Sequence, residues 1–264
     1  MSDNSPHSEV DLKGRTEYRD GRDVEALPSR IGDGDLGHQA RTIEERGFYK
    51  RVGNPGLLGL AAHAVTLMLL STQFMTFRGV STPAVYVGNL FFFAGLYMFT
   101  TCQWCLVKGE TFASTVFGVF SGFYLSYGAI LTPAFNVAAS FTGDPGSANS
   151  TATQYESLAT FLWVWNGAFM CIFLASLRTN AALVIVFFGV IMGVWLLASM
   201  YSNLAVGATD KALKLSKAGG AFLFLSACSG FYLVVVQISE SVDMPFTLPV
   251  GDLAPLWPKK KKSA

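Results

Sequence analysis

Residues 181–200 read Ala181-Ala-Leu-Val-Ile-Val-Phe-Phe-Gly-Val190-Ile-Met-Gly-Val-Trp-Leu-Leu-Ala-Ser-Met200, twenty positions without a charge. About 20 mostly apolar residues wound as a helix cross the hydrocarbon layer of a bilayer. The run is continuously apolar and does not alternate, which favours a helix over a barrel strand. Five further segments have the same character: 57–76, 85–107, 112–132, 158–177 and 218–237. The predicted fold is therefore all-α, a polytopic membrane protein with six transmembrane helices.

The charges support this reading by where they fall. Of 264 residues, 51% are hydrophobic and 14% charged, against about 25% charged in an average soluble domain. Residues 1–51 carry 20 of the 37 charges, whereas Arg78, Lys108, Glu110, Asp144, Glu156 and Arg178 are all that lie between positions 52 and 200. Six charges cannot furnish the surface of a soluble globule of that length. Residues 1–50 are predicted to be a disordered, charged cytoplasmic tail, with 41–50 as a short amphipathic approach to the membrane. The six-helix domain is expected over 51–238, and a proline-bearing cytoplasmic tail over 239–264 ends in the lysine cluster 259–262. No apolar run opens the chain, so insertion is expected to be driven by the first span and not by a cleaved signal peptide.

The connectors at 77–84, 108–111 and 178–180 are short, and longer loops are read at 133–157 and 201–217. Basic residues favour the cytoplasm, and Arg41, Arg46, Lys50 and Arg51 flank the first span. Both termini are accordingly predicted to be cytoplasmic. The 133–157 loop then lies outside without Lys or Arg, and its Asn149-Ser150-Thr151 fits an N-glycosylation acceptor. Against this assignment, Lys211, Lys214 and Lys217 would face outward. Small residues at every fourth position, as in Ser114, Gly118, Gly122 and Ser126, predict close helix packing within or between subunits.

The first span opens as Asn54-Pro55-Gly56-Leu57-Leu58-Gly59-Leu60. Asn is a good helix cap and Pro suits the first helical position; free amides there also attract an anion. Both readings are open, and the second makes Asn54, Pro55 and Gly56 a substrate access point. One face continues through Gly59, His63, Thr66, Leu70 and Gln73. Uncompensated polar groups are costly in hydrocarbon, so Gly59, His63, Thr66 and Gln73 are predicted to line a pore. A lone ionisable residue within a span marks a functional site; its rival is a neutral histidine bonded to a neighbouring helix. Asn89, Gln103, Ser121, Asn166, Ser226 and Gln237 read mainly as bonds between helices.

Residues 54–60, together with Gly109-Glu110-Thr111-Phe112, Val119-Phe120-Ser121-Gly122-Phe123-Tyr124 and Ser176-Leu177-Arg178-Thr179, resemble the acetate uptake transporter family of bacterial and fungal acetate and succinate permeases. The order and spacing agree across roughly 51–237. The resemblance implies a six-helix protomer with its own pore, assembled as a hexamer. It implies passage of acetate or related short monocarboxylates, channel-like or proton-linked, with fungal relatives connected to ammonium export. By motif position the family's hydrophobic constriction falls on His63, Phe120 and Val190. His63 replaces an aromatic residue, Phe120 a tyrosine and Cys105 a glutamate.

The expected function is transport of acetate or a related short monocarboxylate, with His63 as a candidate proton carrier. The alternatives are ammonium or ammonia transport, and a non-transporting membrane sensor or scaffold. No catalytic cluster, cofactor site or metal site is read: Cys102-Gln-Trp-Cys105 lacks partner ligands. No basic patch with interleaved aromatics points to nucleic acid. The expected location is the plasma membrane, or the endoplasmic reticulum if Lys261-Lys262 acts as a dilysine retrieval signal; attraction to anionic lipid is the plainer account of these lysines.

Overall fold

The computed structural model describes residues 53–257, and these hold six helices long and apolar enough to cross a membrane. They are α1 (Pro55–Phe74), α2 (Ala84–Val107), α3 (Thr111–Leu131), α4 (Thr151–Ser176), α5 (Ala181–Ala205) and α6 (Thr209–Ser241). The 1–50 tail, the approach at 41–50 and the lysines at 259–262 lie outside the described residues. A backbone surrounded by lipid must satisfy its own hydrogen bonds, and helices do so throughout.

Two stretches read from sequence as loop are helix. Helix α4 begins at Thr151 and not at 158, because the Ser150 hydroxyl accepts from the Thr153 amide and caps it. Most of 201–217 is also helical: α5 runs to Ala205 and α6 starts at Thr209, with Gly207 (φ +75°) in the tight turn between them. Lys211, Lys214 and Lys217 lie on this overhanging part of α6, which carries the polar start of the helix. Polar side chains end a hydropathy signal without ending a helix. Helix α6 also continues to Ser241, three residues past the expected domain boundary.

Close approach at small residues sets the packing. A Cβ on Gly189 would lie 2.7 Å from the Phe222 carbonyl, and one on Gly220 would lie 2.9 Å from the Ser71 carbonyl. Glycine thus lets α5 meet α6 and α6 meet α1, backbone to backbone. Serines add bonds across the same seams: Ser226 donates to the Val186 carbonyl and Ser216 to the Phe74 carbonyl. Helix α2 carries π-helical turns over Asn89–Tyr97. The Gly95 carbonyl there accepts from Ser121 of α3, and Asn89 donates to Thr66 of α1. Helix α4 differs, since no atom lies within 4 Å of a Cβ built on Gly167 and Cys171 is exposed.

After α6 the chain folds back along the α4–α5 connection. The Gly251 and Val250 carbonyls accept from the Ala181 and Ala182 amides, and Leu253 donates to the Thr179 carbonyl. The Trp257 indole donates to the Leu177 carbonyl, and the Tyr232 hydroxyl to that of Pro249.

Candidate functional site

The start of α1 is built as its sequence predicts. Pro55 is the first helical residue, and the Asn54 carboxamide oxygen accepts from the Gly56 amide at 3.0 Å. The other end of that carboxamide donates to the Gln237 oxygen of α6 at 3.0 Å. This bridge stands at the mouth of a cavity of about 310 Å³. Thr179 and Asn180 border the same opening, as does Glu110, which pairs with Lys108 at 2.9 Å. A lone carboxylate here would repel an anion; the ammonium beside it cancels most of that field.

The cavity walls are apolar, with Leu60, Met98, Val116, Phe117, Phe187 and Leu233 among them. Its inner end is His63 with Phe120, 4% and 2% exposed. The two rings meet edge to face at 4.6 Å, and Phe120 stacks on Phe169 at 4.6 Å with Phe187 at 6.1 Å. A second cavity of about 30 Å³ is bordered by Phe120, Tyr124, Val190 and Leu223. Phe120 therefore borders both spaces, and its ring stands between them.

Of the residues read as access points or pore lining, the structure brings Asn54, Gly56 and His63 to the first cavity. Gly59, Thr66 and Gln73 lie outside its lining. Gly59 faces Phe117 and Thr101 so closely that a Cβ would sit 2.7 Å from the phenyl ring. Thr66 donates to the Ala62 carbonyl and accepts from Asn89, and Gln73 donates to the Ser81 carbonyl. The cavity face of α1 is Gly56, Leu60 and His63, at helical spacings of four and three. Of the constriction residues, His63 borders the first cavity, Val190 the second and Phe120 both. Sequence reasoning did not pick out Asn180, Phe187 or Leu233 as lining, because apolar and capping residues carry no signal beyond packing. Cys105 is fully buried and outside both linings.

Among the described residues no group of three or more His, Cys, Asp or Glu comes together. Asn149 is exposed, its carboxamide oxygen accepting from Ser147.

Comparisons with known proteins agree with this architecture. The sequence profile of the GPR1/FUN34/yaaH family matches residues 39–255. The chain is 35% identical over 217 residues to protein alcS of Aspergillus fumigatus, covering 81% of this chain and 80% of that protein. It is 34% identical over 230 residues to the acetate transporter protein patA of Penicillium expansum, covering 84% and 88% respectively. Among solved structures the bacterial acetate channel SatP superposes with a TM-score of 0.59 at 21% identity, over 76% of this chain and all of that one. At that identity the likeness concerns the fold.

Proposed function

The chain belongs to the GPR1/FUN34/yaaH family, and from that premise we propose that it transports acetate or a closely related short monocarboxylate across a membrane. The observation that carries the reading is the blind cavity that opens beside Asn54 and ends on the His63–Phe120 pair. Its volume of about 310 Å³ falls at the small end of the roughly 300–1,000 Å³ usual for ligand pockets. Apolar walls suit a short alkyl group, and the mouth offers amides.

The role of each residue follows from the cost of burying charge. An unpaired carboxylate moved into apolar surroundings loses far more in hydration than those walls return. The anion therefore gathers at the polar mouth beside Asn54 and Gly56 and needs a partner where Phe120 closes the path. His63 is the ionisable side chain at that point. A proton taken from water at the mouth travels with the anion as the carboxylic acid. His63 meets that carboxyl group as a hydrogen-bonding partner, while Phe120 and Val190 exclude water and longer chains. Displacement of the Phe120 ring joins the two cavities. The chemistry is translocation, without a covalent step.

Both termini are assigned to the cytoplasm, which puts Asn149 outside as a glycan acceptor; loss of a glycosidase-sensitive mass shift in Asn149→Gln tests that side. A homo-oligomer, a hexamer by family resemblance, is supported by α4, whose small residues Gly167 and Cys171 lie open on the outside of the protomer. The plasma membrane is the assigned location, with the endoplasmic reticulum as the outcome if a tagged chain is retained there.

The deciding experiment is uptake of labelled acetate into liposomes holding the purified protein, at two pH values, with methylammonium as the competing solute. Saturable acetate uptake that His63→Phe slows is expected. Wild-type liposomes that carry methylammonium but no acetate would overturn the assignment.

A further inference from the structure

The Tyr124 hydroxyl lies 3.2 Å from Nδ1 of His63, and this is the hydrogen bond the structure gives it. Both side chains are buried, at 1% and 4% exposure. The opposite ring nitrogen, Nε2, is buried without a partner, and the residue borders the first cavity, so that a solute reaches this nitrogen only as the neighbouring rings give way. Tyr124 in turn borders the second cavity. The pair thus runs beside Phe120 from one space to the other, a polar rung in an otherwise aromatic barrier.

The proton inventory of this pair selects one arrangement. A neutral imidazole carries its hydrogen on one nitrogen and accepts at the other. With the hydrogen on Nδ1, the imidazole donates to the phenol oxygen. Two groups then go unanswered in the interior: the phenol hydrogen and the Nε2 lone pair. With Nδ1 bare, the phenol donates to it and only the Nε2 hydrogen lacks a partner. The second arrangement leaves one fewer buried polar group unmet, which is worth roughly a factor of ten in population.

We infer that Tyr124 is a positioning residue: its hydroxyl holds His63 in the Nε2–H form, so that a free N–H donor meets the carboxyl group of the passing solute. The inference rests on the transport reading and sharpens its substrate class. A carboxyl oxygen accepts from that N–H, whereas ammonium brings only donors and finds none of its needs met there. Tyr124 acts through His63 and need not touch the solute.

The test uses the full chain labelled with ¹⁵N-histidine in lipid. His7 and His38, the other two histidines, are replaced by glutamine so that one imidazole reports. At neutral pH the wild-type His63 spectrum is expected to show a bare Nδ1 and a protonated Nε2. In Tyr124→Phe the Nδ1–H form should appear, and KM for acetate should rise about fivefold with maximal rate changed much less. A wild-type spectrum with the proton on Nδ1 overturns the proposal, as does a folded Tyr124→Phe protein with unchanged tautomer and unchanged KM. If that variant fails to fold, the wild-type spectrum alone decides. Absence of acetate flux in wild-type protein is a different failure: it removes the transport reading and leaves the tautomer assignment to its own measurement.

Discussion

Replacing Phe120 with alanine removes the ring that divides the two cavities. That ring is 2% exposed, stacked on Phe169 at 4.6 Å and edged by His63 at 4.6 Å. Truncating a buried phenylalanine costs about 3–5 kcal/mol. Against a total of roughly 5–15 kcal/mol, the variant should stay folded but melt earlier. The vacated volume lies between spaces of about 310 and 30 Å³, so the substitution joins them into one path. A packed apolar wall discriminates by about 1–3 kcal/mol per methylene. Acetate should therefore pass faster, and its advantage over butyrate should fall at least about tenfold. Initial rates of labelled acetate and butyrate uptake into liposomes, at matched amounts of inserted protein, give both numbers. Phe120→Leu, which keeps much of the bulk, should fall between. An alanine variant that is folded and inserted yet keeps the wild-type acetate rate and the wild-type ratio refutes the assignment of Phe120 as the barrier.

Lys108→Ala leaves the Glu110 carboxylate uncompensated at the cavity mouth. Anion uptake should slow about two- to fivefold at low ionic strength and recover in high salt; a defect independent of salt would count against an electrostatic role. Gly189→Val drives a side chain against the Phe222 carbonyl, 2.7 Å from its Cβ. It should lower stability by about 1–3 kcal/mol, read as an earlier loss of the folded peak in size-exclusion after heating; an unchanged midpoint would mean α5 and α6 tolerate separation. Asn89→Ala removes the 2.6 Å bond to Thr66 and should cost only about 0.6 kcal/mol, with acetate transport intact. A large loss of transport would show that this amide serves the path and not the packing.

The six spans were legible because a run of about twenty apolar positions without charge suits a helix in lipid and little else. The Asn54 cap was legible because Asn-Pro is a local signal, completed within two residues. The starts of α4 and α6 were not, since the residues at 151–157 and 209–217 are polar and only the caps and turns around them mark helix. The stripe through Gly59, His63, Thr66 and Gln73 was visible as a periodicity, but periodicity does not say which neighbour a face meets. In the fold Gly59 and Thr66 meet α3 and α2, and the cavity takes the adjoining face of Gly56, Leu60 and His63. Phe120 and Val190 could be marked only through family resemblance, since a buried aromatic and a valine look like any core residue. The bond from Tyr124 to His63 joins positions 61 residues apart and leaves no trace in either local sequence.

The return of the chain over the α4–α5 connection bears on biosynthesis. Four backbone groups at that connection, the Leu177 and Thr179 carbonyls and the Ala181 and Ala182 amides, are answered by residues 250–257. Those residues leave the ribosome after every span has been made. A product released early, before Val250, would thread all six segments and still have a frayed rim beside the first cavity, which Thr179 and Asn180 line. Quality control that probes this rim would distinguish finished chains from nearly finished ones without inspecting the bilayer interior at all.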